Sequence, residues 1–318
     1  MTISKVLITG GNGNLGRLVA SDFEAHGVEV VAFDLPASVA VENAPAKDRL
    51  LVTGDIRDTD LLKEILKVQK PDAILHLASL LSGSSEADPA LAWAVNATAS
   101  INLMHLAKEH TAGPFVFAST IATYAPDNLE LLPEDAPQWP ENVYGATKVA
   151  VERMGVWMKK RDDFDFRCLR FPMVLSPFSP PGAVTAYPGH ACNAAVNGEP
   201  FTFPVGKDTG MSTLFLNDVT RSLLEITFAN RDTLKSHAYN LHAFHFTAGK
   251  LATYLKEKFG NAKFSFEPDA RVDPLISGWP DRVDDTSARK DWSWEPQYDF
   301  EKCVEAVLAL AQRIRQPD

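Results

Sequence analysis

The sequence predicts an α/β protein, a doubly wound parallel sheet followed by a smaller C-terminal α/β domain. Three observations carry this. Short apolar runs alternate with helical patterns through the first half of the chain. A glycine-rich turn joins the first run to the first helix. Past residue 176 the composition shifts to proline, glycine and short strands. Strands that alternate with helices form parallel sheets covered on both faces, with right-handed crossovers.

The elements follow in order. "KVLITG" (5–10) is a buried strand, and "LGRLVASDFEAHG" (15–27) has helical spacing and stops at glycine. "VEVVAFD" (28–34) and "RLLVTGD" (49–55) are the next strands, and "DTDLLKEILKVQ" is a helix opened by aspartate. "PDAILHLAS" (71–79) is a strand, "DPALAWAVNATASINLMHLAKEH" (88–110) one long helix and "PFVFAST" (114–120) a strand. A proline-rich loop follows Tyr124 and leads into a helix that starts at "NVYGATK". The strand "DFRCLRFP" (165–172) closes the first half. The end of the chain mixes "KFSFEP" with the helices "GKLATYLKEKFG" and "FEKCVEAVLALAQRI". The expected division is residues 1–172, with 213–245 returning to them, as one domain, and 173–212 with 246–318 as the second, lying over the carboxyl edge of the sheet.

Bulk properties exclude several function classes. The chain has 318 residues, 45% hydrophobic and 23% charged, an ordinary globular balance. A net charge of −10 argues against nucleic acid or an anionic membrane as partner. No apolar run approaches membrane-spanning length, and the N-terminus lacks the regions of a signal peptide. Cys168, Cys192 and Cys303 are odd in number and widely spaced. They fit neither a disulfide framework nor a zinc site, and a reducing, cytoplasmic location is expected.

"ITGGNGNLG" places Gly10, Gly13 and Gly16 at three-residue spacing between a strand and a helix, the context of a dinucleotide site. Gly10 permits the tight turn, Gly13 lets a pyrophosphate approach the backbone, and Gly16 lets the helix pack on the strand. N–H groups at the helix start then face the phosphates. Asp34 ends the second strand, where a carboxylate accepts from both ribose hydroxyls and repels a 2′-phosphate. No arginine follows it directly, so NAD is favoured over NADP. Asp55 either meets an adenine amino group or caps the next helix.

Thr120 ends the fifth strand and therefore points at the ligand cleft beyond the carboxyl ends of the strands. Tyr144 and Lys148 share one helix face, since residues four apart are neighbours. A nearby ammonium favours the phenolate, so Lys148 is expected to lower the pKa of Tyr144, and the positive nicotinamide to add to this. Tyr144 can then remove a hydroxyl proton while hydride leaves the carbon, with Thr120 holding the substrate oxygen.

On these motifs, together with "GDI", "LHLAS", "AVNATAS", "STIATYAP" and "LRFPMVLSP", the chain resembles the extended short-chain dehydrogenase/reductases over nearly its full length. Within them it is most similar to the short-chain-type L-threonine 3-dehydrogenases, through "LLSGSSEADPALAWAVN", "DFRCLRFPMVLS" and "SGWPDRVDDTSARKDWSWEPQYDF". Sugar-acid dehydrogenases of the erythronate type share the "SGxxEAD" pattern and compete closely. The resemblance implies a Rossmann-type NAD domain with Thr120, Tyr144 and Lys148 as the catalytic set. It implies cofactor contacts from Asn14, Leu15, Ile56, Leu77, Ala78, Ser79 and Asn96, and a wall of Pro172 to Val174 beside the nicotinamide. Ser82, Thr185 and Trp279 are the implied substrate contacts. Trp279 also reads as a core or interdomain anchor. A homodimer through helices 88–110 and 144–161 is expected on the same basis.

One stretch departs from the threonine dehydrogenases. Their "GTTDYA"-like segment corresponds here to "PGAVTAYPGH", so Ala183 and Val184 replace a glycine and threonine that contact the amino acid, and Ala186 replaces the aspartate. Either the pocket prefers a less polar or bulkier substrate, or the loop shifts and Thr185 takes over. His242 and His245 in "HAFH" lack a carboxylate or cysteine cluster nearby, so no metal is expected. Trp292 and Trp294 are expected to pack inward.

Three functions compete. The first is a dehydrogenase of a small hydroxy acid or β-hydroxy-α-amino acid. The second is a nucleotide-sugar epimerase or dehydratase, whose diphosphate needs cations. Between Arg170 and Arg221 the one lysine or arginine is Lys207. The third, a non-catalytic NAD sensor, conflicts with the intact Tyr/Lys pair.

Overall fold

The computed structural model describes residues 2–36, 49–111, 113–125, 130–178 and 183–315. Strands β1 (Lys5–Thr9), β2 (Glu29–Asp34), β3 (Leu50–Thr53), β4 (Ala73–His76) and β5 (Phe115–Thr120) appear where the apolar runs place them. After the two-residue β6 (Leu131–Leu132) come β7 (Phe166–Phe171) and β8 (Met173–Leu175). The later strands are β9 (Phe201–Phe203), β10 (Gly210–Phe215), β11 (Tyr239–Asn240), β12 (Phe244–Thr247), β13 (Phe264–Phe266) and β14 (Arg282–Val283).

Among the described residues the main sheet has seven strands in the order β11-β7-β5-β4-β1-β2-β3, and every pairing in it is parallel. The order reverses between β1 and β4, so the cleft opens beyond Thr9 and His76, which pair directly. All of β4 and all but Ala118 and Thr120 of β5 are buried, as in strands covered on both faces. One apolar layer packs helix Asn14–Ala25 through Val19, Ala20 and Phe23 against β1, with Leu223 of helix Leu216–Phe228 joining it. The opposite layer brings Leu62, Leu103 and Val151 from three helices against β2, β4 and β5.

A second sheet, β12-β10-β8, pairs β10 parallel with β8 and antiparallel with β12. It anchors a further core in which Tyr187, Cys192, Phe203, Leu251 and Val304 meet. The β9–β13 and β14–β6 ladders tie distant segments together.

The expected single helix over 88–110 is differently built. Pro89–Ala92 is α-helical, Trp93–Ala99 is a π-helix, and Ser100–His110 is α-helical again. Wide turns of this kind are frequent at functional sites, and this one contains Asn96. A short helix, Ser82–Ala87, precedes it and had no clear periodic signal. No helix of the described residues is long and apolar enough to cross a membrane.

Candidate active site

The glycine turn is built for close backbone approach. Gly10 has φ +69°, and a Cβ there would lie 2.9 Å from the Ala78 amide nitrogen. A Cβ on Gly16 would lie 2.1 Å from the Gly10 carbonyl oxygen. Gly13 donates to that carbonyl at 3.1 Å and caps helix Asn14–Ala25 without any side-chain cap. Asn14 and Leu15 thus form the first helical turn at the cleft. At the end of β2, Asp34 Oδ2 accepts from Asn12 N at 2.9 Å and Oδ1 accepts from Leu35 N at 2.7 Å. Each oxygen keeps a second lone pair. A narrow cradle that side chains would fill, with a carboxylate at the next strand end, fits the diphosphate and ribose of NAD.

Asp55 does not cap the following helix. Asp58 does, accepting from Leu61 N at 3.0 Å. Asp55 instead accepts from the backbone N (2.9 Å), Nε (2.9 Å) and NH2 (2.5 Å) of Arg57. Those bonds hold its carboxyl below the usual range. Ile56 beside it is buried.

The loop after β4 is fixed from two sides. Leu77 N donates to Thr9 O at 3.0 Å, and Ala78 N meets Thr9 Oγ1 at 3.4 Å. Asn96 is buried, its Oδ1 accepting from Leu80 N at 2.8 Å and its Nδ2 donating to Leu80 O at 3.0 Å. Its amide therefore clamps the 79–81 loop. His76 lies beneath, between Thr9 Oγ1 (2.6 Å from Nδ1) and Ser100 Oγ (2.8 Å from Nε2). Ser100 donates to Asn96 O, so it accepts from Nε2–H, and Thr9 donates to Nδ1. Burial, with Lys148 adding, pushes the imidazole pKa down to about 3 and keeps it neutral.

The structure brings Thr120, Tyr144 and Lys148 to the carboxyl end of β5. Thr120 Oγ1 accepts from Ala122 N at 3.1 Å and starts a tight turn, Ile121–Thr123. Helix Val143–Asp162 begins against that turn. Asn142 caps the helix by accepting from Gly145 N at 2.6 Å and donates Nδ2 to Ala122 O at 3.3 Å. A Cβ at Gly145 would stand 2.0 Å from the same oxygen. Asn142 and Gly145 thus place Tyr144, and sequence reasoning passed over both. The Asn-to-Gly spacing, read as an N-cap pattern, carried the signal.

Lys148 is 3% exposed and donates Nζ to Ala118 O at 2.9 Å. Its Nζ lies 4.7 Å from the centre of the Phe117 ring and 5.5 Å from that of Tyr144. Burial lowers its pKa to about 8, with the Glu152 carboxylate opposing. The expected fall in the Tyr144 pKa is not found. Burial raises it to about 12, offset in part by the Ser79 hydroxyl. The ammonium lies over the ring face and bonds a carbonyl, so desolvation of the phenolate dominates.

The other expected contacts are spread around this centre. Pro172 and Val174 flank Met173 where β7 runs into β8, Pro172 buried and Val174 half-buried. Ser82 is half-buried at the first turn of Ser82–Ala87. Thr185 is half-buried in the turn Val184–Ala186; the Val184 side chain falls outside the described residues. Trp279 packs on two cores at once, with Ile121 and Tyr124 on one side and the second apolar core on the other. It anchors the C-terminal segment to the turn that follows Thr120. His242 pairs through Nδ1 with Ser212 Oγ at 2.6 Å, and His245 with Asp281 at 3.0 Å. Trp294 is fully buried and Trp292 packs beside it, rings 5.5 Å apart.

Residues 6–241 match the NAD dependent epimerase/dehydratase family. The chain belongs to that family. It is 32% identical over 310 residues to the mitochondrial L-threonine 3-dehydrogenase of Bos taurus, covering 96% of this chain and 82% of that one. The solved L-threonine dehydrogenase of Clostridium difficile superposes with a TM-score of 0.91 at 27% identity, covering 99% of each chain. The GalE-like L-threonine dehydrogenase of Cupriavidus necator matches with 0.88 in its holo form, at 29% identity over 96% of this chain and 99% of that one. In the apo form it matches with 0.78, at 27% identity over the same shares. This chain is an NAD-dependent dehydrogenase of the extended short-chain dehydrogenase/reductase type, similar to these threonine dehydrogenases.

Proposed function

We propose that the protein oxidises the secondary alcohol of a small β-hydroxy acid or β-hydroxy-α-amino acid. The observation that carries this reading is the convergence of Thr120, Tyr144 and Lys148 beyond β5, on the same carboxyl edge of the sheet as the glycine turn after β1 and Asp34 at the end of β2. NAD, when bound, accepts the hydride that leaves the carbinol carbon. The chain's own residues do the rest. Tyr144 Oη takes the hydroxyl proton, and Thr120 holds the reacting oxygen. Lys148 supplies positive charge to the phenolate. The Asn96 clamp on Leu80 shapes the loop that carries Ser79 and Ser82, so Asn96 acts through that loop.

The charge pattern supports a small substrate over a nucleotide sugar. Arg170 is buried against Glu152, Arg221 pairs with Asp218 and Glu225, and Lys207 Nζ lies 5.6 Å from the Phe266 ring centre. Arg170 and Arg221 are thus committed to carboxylates within the protein, which leaves the single exposed Lys207 of this stretch, whereas a diphosphate needs several donors. An erythronate-type sugar acid remains the second reading, favoured by the "SGxxEAD" pattern at 82–88.

In the same reading Ala183 and Val184 make L-threonine a poorer substrate than a related β-hydroxy acid or larger hydroxyamino acid. Losing a hydroxyl that meets a polar substrate costs about 1 kcal/mol. Trp93 and Trp157, 49% and 43% exposed, lie on the helical segments 88–110 and 143–162 and support a homodimer through those segments. Steady-state reduction of NAD⁺ across threonine, phenylserine, 3-hydroxy acids and aldonic acids tests the assignment, together with product analysis of UDP-sugars, whose epimerisation or dehydration leaves NAD⁺ unchanged overall. Turnover of UDP-sugars alone overturns it, and threonine as the best substrate overturns the loop argument.

A further inference from the structure

One turn beyond Lys148, on the same face of helix Val143–Asp162, stands Glu152, 2% exposed. Its Oε1 accepts from Ser119 Oγ at 2.5 Å, and its Oε2 from Gln138 Nε2 at 3.0 Å and Arg170 NH2 at 2.7 Å. Arg170 Nε lies 3.1 Å from both oxygens. Ser119 directly precedes Thr120 on β5, and Arg170 lies on β7. Arg170 NH1 extends the network by donating to Tyr124 Oη at 2.6 Å, which donates to Asn240 Oδ1 at 3.1 Å.

We propose that Glu152 is a positioning residue for the reaction: its carboxylate keeps Lys148 in the ammonium form and ties the Lys148 turn to the strand end that carries Thr120. This rests on the roles given to Tyr144 and Lys148 under the proposed function. A buried Glu–Arg pair can be purely architectural, so the groups around Lys148 decide the matter. Tyr144 and Glu152 face it from its own helix. Cys168 and Arg170 come from β7, and His76 from β4. The His76 imidazole is held neutral, and burial raises the Cys168 thiol well above its ordinary value, so it is neutral as well. Tyr144 is a neutral phenol at rest. Among the described residues this leaves Glu152 as the anion that offsets burial of the ammonium. Burial drives a lysine toward the neutral amine, and a fixed anion opposes it. Without Glu152 the amine loses its proton nearer neutral pH and no longer attracts the phenolate. The Ser119 bond adds a mechanical link, since it pins the residue next to Thr120 to the helix that carries Tyr144.

Lysine Nζ/Cε NMR of the cofactor-free protein reads the first effect directly, with the Lys148 resonance assigned by Lys148→Met. The Lys148 midpoint is expected to fall by about one pH unit or more in Glu152→Gln and to recover in Glu152→Asp. The alkaline limb of kcat should move the same way, whereas an architectural role lowers kcat at every pH and leaves the limb in place. If Glu152→Gln does not fold, Glu152→Gln/Arg170→Gln leaves no buried cation unpaired and should show a smaller fall in the same direction, because loss of the Arg170 charge favours the ammonium while loss of the closer carboxylate disfavours it. An unmoved midpoint in whichever variant folds overturns the inference. The titration needs no turnover, so a wild type that oxidises no hydroxy acid of the panel counts against the proposed function, while the midpoint still reports on Glu152.

Discussion

Lys148 and Tyr144 stand one helical turn apart, with the ammonium 5.5 Å from the centre of the phenol ring and its proton given to Ala118 O rather than to the phenol. The pair is therefore coupled through space. In the protein alone burial wins, and Tyr144 stays protonated to about pH 12 while Lys148 titrates near 8. Further positive charge beside the phenol is needed to bring its proton within reach of neutral pH.

Replacing Tyr144 with Phe removes the proton acceptor and little else. It should lower kcat by about two to four powers of ten, the range for a positioned general base, and leave NAD⁺ affinity unchanged. Stopped-flow kinetics with a cofactor-binding titration checks both. Near-normal turnover of the Phe variant would end the acid–base assignment.

Gly145→Ala tests how Tyr144 is placed. The added methyl would meet Ala122 O at 2.0 Å, so the helix start must retreat from the Ile121–Thr123 turn. Overpacking of this kind costs about 1–3 kcal/mol. The displacement should also cost on the order of 100-fold in kcat. Thermal unfolding and kinetics on one preparation separate the two effects, and an alanine variant with normal kcat would show that this contact does not align the site.

Cofactor choice should follow Asp34. Its carboxylate would face a 2′-phosphate as a like charge. At 4 Å that repulsion is worth about 1 kcal/mol in water and more near a protein surface. NAD⁺ should therefore exceed NADP⁺ in kcat/KM, and Asp34→Ser should narrow the ratio by about fivefold or more. A ratio untouched by the substitution would move the discrimination elsewhere.

His76 gives the fold a defined acid sensitivity. Its pKa is about 3 when folded and 6.5 in the unfolded chain. Between these values the unfolded state binds the extra proton, so stability falls as pH drops through the window and is intact above 6.5. From pH 7 to pH 5 the loss should be about 2 kcal/mol. Urea unfolding at both pH values, for wild type and His76→Asn, measures it. The variant should lose about that much less, and equal losses would show that His76 is not the titrating group.

Much of the main sheet was legible because a strand buried on both faces has no choice but an apolar run. β1, β2, β4, β5 and β7 all announce themselves in this way. The glycine turn was legible for a related reason. Gly10 and Gly16 stand where any Cβ collides with backbone, so the residue type reports the local geometry. The π-turn around Asn96 was not, since its residues have ordinary helical propensity and the Leu80 backbone that Asn96 meets lies on a separate loop. The two-residue β6, β11 and β14 were equally invisible, being defined by what they pair with.

The sequence by itself determined the sheet, the nucleotide turn and the pairing of Tyr144 with Lys148, because each rests on local spacing or on the properties of one residue type. Only the tertiary structure decided the chemistry of that pair. Whether an ammonium lowers the pKa of a phenol depends on where its protons point and on how much water both groups lose. Those are set by Ala118 on β5, Arg170 on β7 and Glu152 one turn along the helix. Contacts between segments distant along the chain leave no periodic trace in it, and so the network that holds Lys148 became visible only when the strands were brought together.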